Sequence, residues 1–305
     1  MGFADSIAVN SSFTKGIVSR TWPSLAAKRS LEVVYPCIDV RPATSPSAEP
    51  DTSVLPWTSS GIILSINRFE RKKDISLAIR SFASLSPAQR GNSKLIIAGG
   101  YDNRVPENVS YHSELVNLAE SPPFNLKTAT AKTVVSALNT SPDVQVLFLL
   151  SVPNALKELL LRSAKLLVYT PSNEHFGIVP LEAMVRGVPV LAANNGGPVE
   201  TVVENETGWL RDPGQEKEWA EVMDRVLNKM GEEELKRMGR MGVERVKTKF
   251  ADTQMAERLE EIIERMPRGD GGGQGRGVVL MVLAVVGAVV VGLVGVVGAV
   301  FWRVW

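Results

Sequence analysis

Short apolar runs alternate with longer mixed segments through the first two thirds of the chain. The runs SIAVN, LEVVY, GIILSIN, KLIIAGG, VQVLFLL, AKLLVYT and VPVLAAN begin at Ser6, Leu31, Gly61, Lys94, Val144, Ala164 and Val188, and each has the length of a strand. The last five are apolar almost without interruption, as expected of strands covered by helices on both faces. The alternation predicts a parallel α/β sheet, in a Rossmann-like domain from about Thr58 to Asp212. Beyond it, Trp219, Val222, Met223, Val226, Leu227 and Met230 recur at helical spacing and predict a helix packed on that domain. Further helices are expected over about 232–249 and 252–265.

Three segments break this pattern. Residues 41–60, RPATSPSAEPDTSVLPWTSS, are crowded with Pro, Ser and Thr and read as a linker or surface loop after an amino-terminal portion, 1–40. AESPPFNLKTAT, 119–130, reads as an irregular insertion between helices. From Gly277 to Trp302 no side chain is ionisable, which predicts a transmembrane helix, tethered to the body (61–265) by the Gly-rich 266–276. Arg265, Arg268 and Arg276 before that run, against Arg303 after it, put the body on the cytosolic side.

Composition narrows the chemistry. A formal net charge of +1 gives no field to draw in nucleic acid, so an anion must be held by a local cluster. Cys37 is the single cysteine and His112 and His175 the only histidines, a poor inventory for a metal site. MGFADSIAVNSSF lacks the basic-then-apolar order of a secretory signal.

Three stretches at expected carboxyl ends of strands carry candidate chemistry. In YTPSNEHFGIVPLEAM, Gly177 permits close backbone approach and Pro180 suits a helix start, where amide groups favour a phosphate. Glu174 just before the helix and Glu182 in its first turn would flank that anion, a layout suited to a nucleoside-diphosphate sugar with hydroxyls at both ends. Glu182 could equally stabilise the helix through its dipole. INRFERKKD gathers Arg68, Arg71, Lys72 and Lys73 where a diphosphate could be neutralised, or where they merely form a solvated basic surface. AANNGGPVETV gives a turn and a helix start that would also serve as an ordinary connection.

In this combination the chain resembles the donor-binding half of retaining GT-B glycosyltransferases of family 4. EHFGIVPLE matches their E-x7-E motif and INRFERKKD their basic strand–helix turn. AVNSSFTKGIV, VVYPCID, SINRFERKKDISLAIRSF, LIIAGGYDNRVPEN and EHFGIVPLEAM, in that order, resemble the mannosyltransferases that assemble the dolichol-linked oligosaccharide. The resemblance implies GDP-mannose as donor and a dolichol-diphosphate-linked Man-GlcNAc2 acceptor at the cytosolic face of the endoplasmic reticulum, mannosylated α-1,3 and then α-1,6. It assigns Arg68 and Lys73 to the donor diphosphate and leaving group, Glu174 to mannose hydroxyls beside the reacting carbon, and Glu182 to the ribose. Main-chain amides of Phe176, Gly177 and Ile178 would assist, without a metal ion or other cofactor. GT-B enzymes have two Rossmann-like domains, and DSIAVNSSF resembles the last strand of the first. The chain would then be a fragment or truncated gene product lacking most of that domain, able to bind donor but not to transfer mannose. The competing reading is a non-catalytic membrane-tethered scaffold that joins other glycosyltransferases.

Overall fold

The computed structural model describes residues 6–40, 61–266 and 280–282. The segment 41–60, all but the first residue of the 266–276 tether, and most of the apolar run 277–302 lie outside the described residues. In chain order the strands are β1 (Ser6–Val9), β2 (Leu31–Val33), β3 (Ile62–Ile66), β4 (Lys94–Gly99), β5 (Thr128–Ala131), β6 (Val146–Leu150), β7 (Leu166–Tyr169), β8 (Val190–Ala193), β9 (Gly208–Arg211) and β10 (Leu280–Val282).

Seven of them form a wholly parallel sheet in the order β5-β6-β4-β3-β7-β8-β9. Alternate residues point to opposite faces, and both faces are covered. Leu64, Ile96, Leu147, Leu167 and Val190 enter one core, whereas Ile63, Leu95, Phe148, Leu166 and Leu191 enter the other. This double burial is why the central runs carry no polar alternation; each such side chain contributes about 1.5–3 kcal/mol before the entropy of ordering it. From β3 the sheet extends through β4, β6 and β5 to one side, and through β7, β8 and β9 to the other. The topological switch therefore falls between β3 and β7, where Ile63 pairs with Leu166 and Leu64 with Leu167.

Helices Ile75–Ala83 and Glu216–Asp224 pack together on one face. Arg80 Nε donates to Glu216 Oε2 at 3.1 Å across their contact. Trp219 is fully buried yet satisfied, because its Nε1 donates to Asp212 O at 2.9 Å. The apolar stripe continues through a wider π-helical turn, Arg225–Lys229, in which Val226 is buried. Helices Glu232–Lys249 and Asp252–Glu264 follow as expected.

Two strands depart from the sequence expectation. β5 begins inside the stretch read as an irregular insertion, and β9 had no apolar run to announce it. Both are edge strands of the large sheet, paired on one side only and partly exposed, so neither needs continuous apolar character. The expected transmembrane helix lies almost wholly outside the described residues. Leu280–Val282 of that run are extended and pair in parallel with β1, Ser6 opposite Leu280. No helix among the described residues is long and apolar enough to cross a membrane.

The amino-terminal segment docks on the main body through β1, β2 and helix Ser12–Thr21. Glu32 Oε2 pairs with Arg258 Nη2 at 2.6 Å, and Ile38 N donates to Phe250 O at 3.0 Å. Tyr35 stacks on Phe176 with ring centroids 5.7 Å apart and meets Phe250 edge-on at 5.4 Å.

Candidate active site

The switch point brings together the loops after β3 and β7. After β3 the chain makes a short 3-10 turn, Arg71–Lys73, then passes through Asp74 in the left-handed region (φ 42°) before helix Ile75–Ala83 begins. This turn directs Lys73 inward, and Thr170 Oγ1 at the end of β7 fixes it by donating to Lys73 O at 2.7 Å. Lys73 Nζ forms a close ion pair with Glu174 Oε2, the two side chains being 11% and 15% exposed. Tyr169 Oη donates to the same carboxylate oxygen at 3.4 Å. Burial, and then the Glu174 carboxylate, push the Tyr169 phenol well above its ordinary value, so it stays protonated as a donor.

The loop bearing Glu174 is shaped by close contacts that leave no room for a Cβ at two glycines. At Gly177 (φ 83°) a Cβ would lie 2.8 Å from Tyr169 Oη. Behind the loop, a Cβ on Gly197 would lie 2.1 Å from Phe176 O, and Gly197 N donates to Glu174 O at 2.7 Å. Asn195 Oδ1 accepts from Asn173 N at 2.6 Å, with Asn173 itself at φ 54°. The NNGG turn therefore supports the Glu174 loop from behind. Phe176 turns its ring into the core, leaving its main chain at the loop, whereas Ile178 is 42% exposed.

Eight residues on, Glu182 lies in the first turn of helix Val179–Met184, which has no side-chain cap. Its Oε1 accepts from Lys157 Nζ at 2.8 Å, and both side chains are partly exposed. Lys157 comes from the first turn of helix Asn154–Ser163, following β6. Arg68 lines an adjacent cleft of about 630 Å³ together with Glu70, Gly100, Asp102, Ser151 and Lys157, at the carboxyl ends of β3, β4 and β6. That size suits a nucleotide-sized ligand.

The basic cluster read as one unit is divided. Lys73 faces Glu174, and half-exposed Arg68 lines the cleft with its Nη1 3.2 Å from Glu70 Oε1. Lys72 Nζ lies 3.4 Å from the other Glu70 oxygen. Arg71 turns outward to Glu114 and to Ser110, whose Oγ is 3.1 Å away. Sequence reasoning missed Lys157, Glu70 and Tyr169. Lys157 had a usable signal, since it follows a strand's carboxyl end in a new helix; Tyr169, inside a buried strand, had none.

A wholly parallel sheet with a charged cleft beside its switch point matches the fold of one domain of a GT-B glycosyltransferase, and solved structures agree. Sucrose-phosphate synthase from Thermosynechococcus elongatus superposes with a TM-score of 0.66 at 22% identity, over 86% of this chain and 58% of that one. HepE of Anabaena, in complex with UDP and glucose, gives 0.62 at 21% identity, over 86% and 63%. Residues 53–245 match the family Glycosyl transferases group 1, and the chain belongs to that family. Among curated relatives, the alpha-1,3/1,6-mannosyltransferase alg-2 of Neurospora crassa is 77% identical over all of this chain and 64% of its own length. The Saccharomyces cerevisiae alpha-1,3/1,6-mannosyltransferase ALG2 is 40% identical over 86% of this chain and 54% of its own length. The chain thus spans between about half and two thirds of these relatives.

Proposed function

We propose that this chain is the donor-binding part of a retaining mannosyltransferase that uses GDP-mannose. The whole protein would transfer mannose to dolichol-diphosphate-linked Man-GlcNAc2, first α-1,3 and then α-1,6, during assembly of the N-glycan precursor. The observation that carries this reading is the pairing of Lys73 with Glu174 and Lys157 with Glu182 at the switch point, in a chain 77% identical to a named alpha-1,3/1,6-mannosyltransferase.

In this reading the diphosphate lies between the two pairs. Arg68 and Lys73 hold it and stabilise the charge that develops on departing GDP, while the amides of Phe176, Gly177 and Ile178 give further donors. Glu174 takes mannose hydroxyls beside the reacting carbon, and Glu182 takes the ribose. Attack by the acceptor hydroxyl on the face from which GDP leaves would retain configuration. The acceptor lipid and Arg265, Arg268 and Arg276 ahead of an apolar run support a place at the endoplasmic reticulum membrane with the globular part facing the cytosol, beside other glycosyltransferases of the same assembly line.

Equilibrium binding to the purified chain tests the proposal. GDP-mannose should bind in preference to UDP-glucose, and Arg68→Ala should weaken it about tenfold or more through loss of a charge-assisted contact. A folded sample that binds neither nucleotide sugar would instead favour the scaffold reading. Equal binding of both sugars would sink the choice of donor.

A further inference from the structure

Glu200, in the short helix Pro198–Thr201 behind the Glu174 loop, reaches across to the amino-terminal segment. Its Oε2 accepts from Ser12 N and its Oε1 from Phe13 N, each at 2.9 Å. These are the first two amides of helix Ser12–Thr21, which the helix itself leaves without partners. Ser11 Oγ caps the third by accepting from Thr14 N at 2.9 Å. Tyr35 Oη also donates to Glu200 Oε2 at 2.9 Å. From the other side Arg245 fixes the Glu200 backbone, its Nη2 donating to Glu200 O at 2.7 Å and its Nε to Thr201 O at 2.6 Å.

The helix held in this way also grips the residue next to Glu174. Ser11 Oγ donates to His175 O, and Thr14 Oγ1 lies 2.9 Å from His175 Nδ1. Glu174 O is itself bonded to Gly197, the residue that opens the turn carrying Glu200. The Glu174 loop is therefore bracketed by two elements, and the Glu200 carboxylate joins them.

We propose that Glu200 is a positioning residue for donor-sugar recognition: its bidentate hold on the amides of Ser12 and Phe13 docks the amino-terminal segment so that the segment fixes the loop carrying Glu174. The inference rests on the reading of Glu174 as the sugar contact. A carboxylate is required because two N–H donors and one hydroxyl converge on it. Glutamine has one acceptor oxygen, and its NH2 would face an N–H. Burial, followed by the Glu200 carboxylate, raises the Tyr35 phenol above its ordinary value, so Tyr35 also remains a donor to this group.

The test is Glu200→Gln in the full chain, read by hydrogen exchange and by the affinities for GDP-mannose and GDP. Without ligand, exchange over residues 11–22 and 172–179 should accelerate about tenfold, the equivalent of one hydrogen bond to a charged group. The preference for GDP-mannose over GDP should fall about fivefold or more, with GDP losing less than GDP-mannose, because of its proposed contacts only the amides of 176–178 lie in the loosened loop while Arg68 and the Lys157–Glu182 end are untouched. Unchanged exchange at 172–179, or equal loss of both affinities, overturns the proposal. Should the wild-type chain bind no GDP-mannose, the functional reading falls while unliganded exchange still decides the clasp. Should Glu200→Gln fail to fold, Ser11→Ala decides: it spares Glu200 but removes the contact with His175, so it should give the same loss of sugar preference and faster exchange at 172–179, and unchanged values would overturn the inference.

Discussion

The Lys73–Glu174 pair offers the sharpest quantitative test of the site. Two unit charges about 4 Å apart attract by about 4 kcal/mol at an effective dielectric constant near 20. Desolvating both groups offsets much of this, so the net coupling between side chains only 11% and 15% exposed should be about 1–2 kcal/mol. Lys73→Met leaves Glu174 with Tyr169 Oη, at 3.4 Å, as its remaining side-chain donor in this structure. An isolated buried carboxylate costs about 3–5 kcal/mol, and residual water access puts this variant at the low end, about 3 kcal/mol. Glu174→Gln should cost less, about 1–2 kcal/mol, because the ammonium keeps a neutral acceptor and part of its solvent. Adding Glu174→Gln to Lys73→Met should therefore recover stability rather than lose more. Urea unfolding of the two single variants, the double variant and the wild type closes the cycle. A coupling below about 0.3 kcal/mol, or full stability in Lys73→Met, would refute the view that these residues are a preassembled pair.

Two further predictions probe the scaffold beneath that pair. Because the Tyr169 phenol is raised above the ordinary value of 10.0, the unfolded chain releases this proton first, and stability is lost as pH rises past that value. The contribution is about 1.4 kcal/mol per pH unit, so urea midpoints of Tyr169→Phe measured from pH 9 to 11 should fall less steeply than those of wild type, at a cost near neutrality of only about 0.5 kcal/mol; parallel curves would contradict the assignment. Gly197→Ala sets two effects against each other. Its φ of −60° suits any residue, which would favour alanine by up to about 1 kcal/mol, but the added Cβ would sit 2.1–2.4 Å from main-chain atoms of Phe176 that cannot rotate away. The clash should win by about 2 kcal/mol, lowering Tm by about 5 °C, and an unchanged or higher Tm would show that the two loops are not packed backbone to backbone.

The central strands were legible because burial on both faces removes the polar alternation, so β3, β4, β6, β7 and β8 stand out as apolar runs. β5 and β9 were not, since an edge strand needs only partial burial and TATA carries no such signal. At the candidate site, the motif spacing singled out Glu174 and Glu182, but not the side chains they pair with in the structure. Lys73 and Lys157 lie 101 and 25 residues from the carboxylates they meet, and that pairing is decided by strand order. The same limit applies to Arg71. Sequence groups it with Lys73, whereas a single 3-10 turn sends the two side chains apart, to Glu114 and to Glu174.

The pairing also bears on how the proposed ligand could be accommodated. Arg68, Lys73 and Lys157 are matched by Glu70, Glu174 and Glu182, so this set carries no net formal charge before a diphosphate arrives. An ammonium has three N–H donors, and each of these lysines spends one on its glutamate. Both can therefore keep the carboxylate and take a phosphate oxygen as well, without breaking the existing contact. The glutamates in turn stay fixed where hydroxyls would meet them, which reduces the ordering cost of binding. In the proposed reading the incoming negative charge would be compensated chiefly by Arg68, whose half-exposed guanidinium lines the cleft with its Nη1 3.2 Å from Glu70 Oε1. In the proposed reading, glutamates held by lysines on both sides of the strand switch would meet the ligand already neutralised and ordered, so that selectivity would come from a ligand that brings phosphate and hydroxyls together at the right separation.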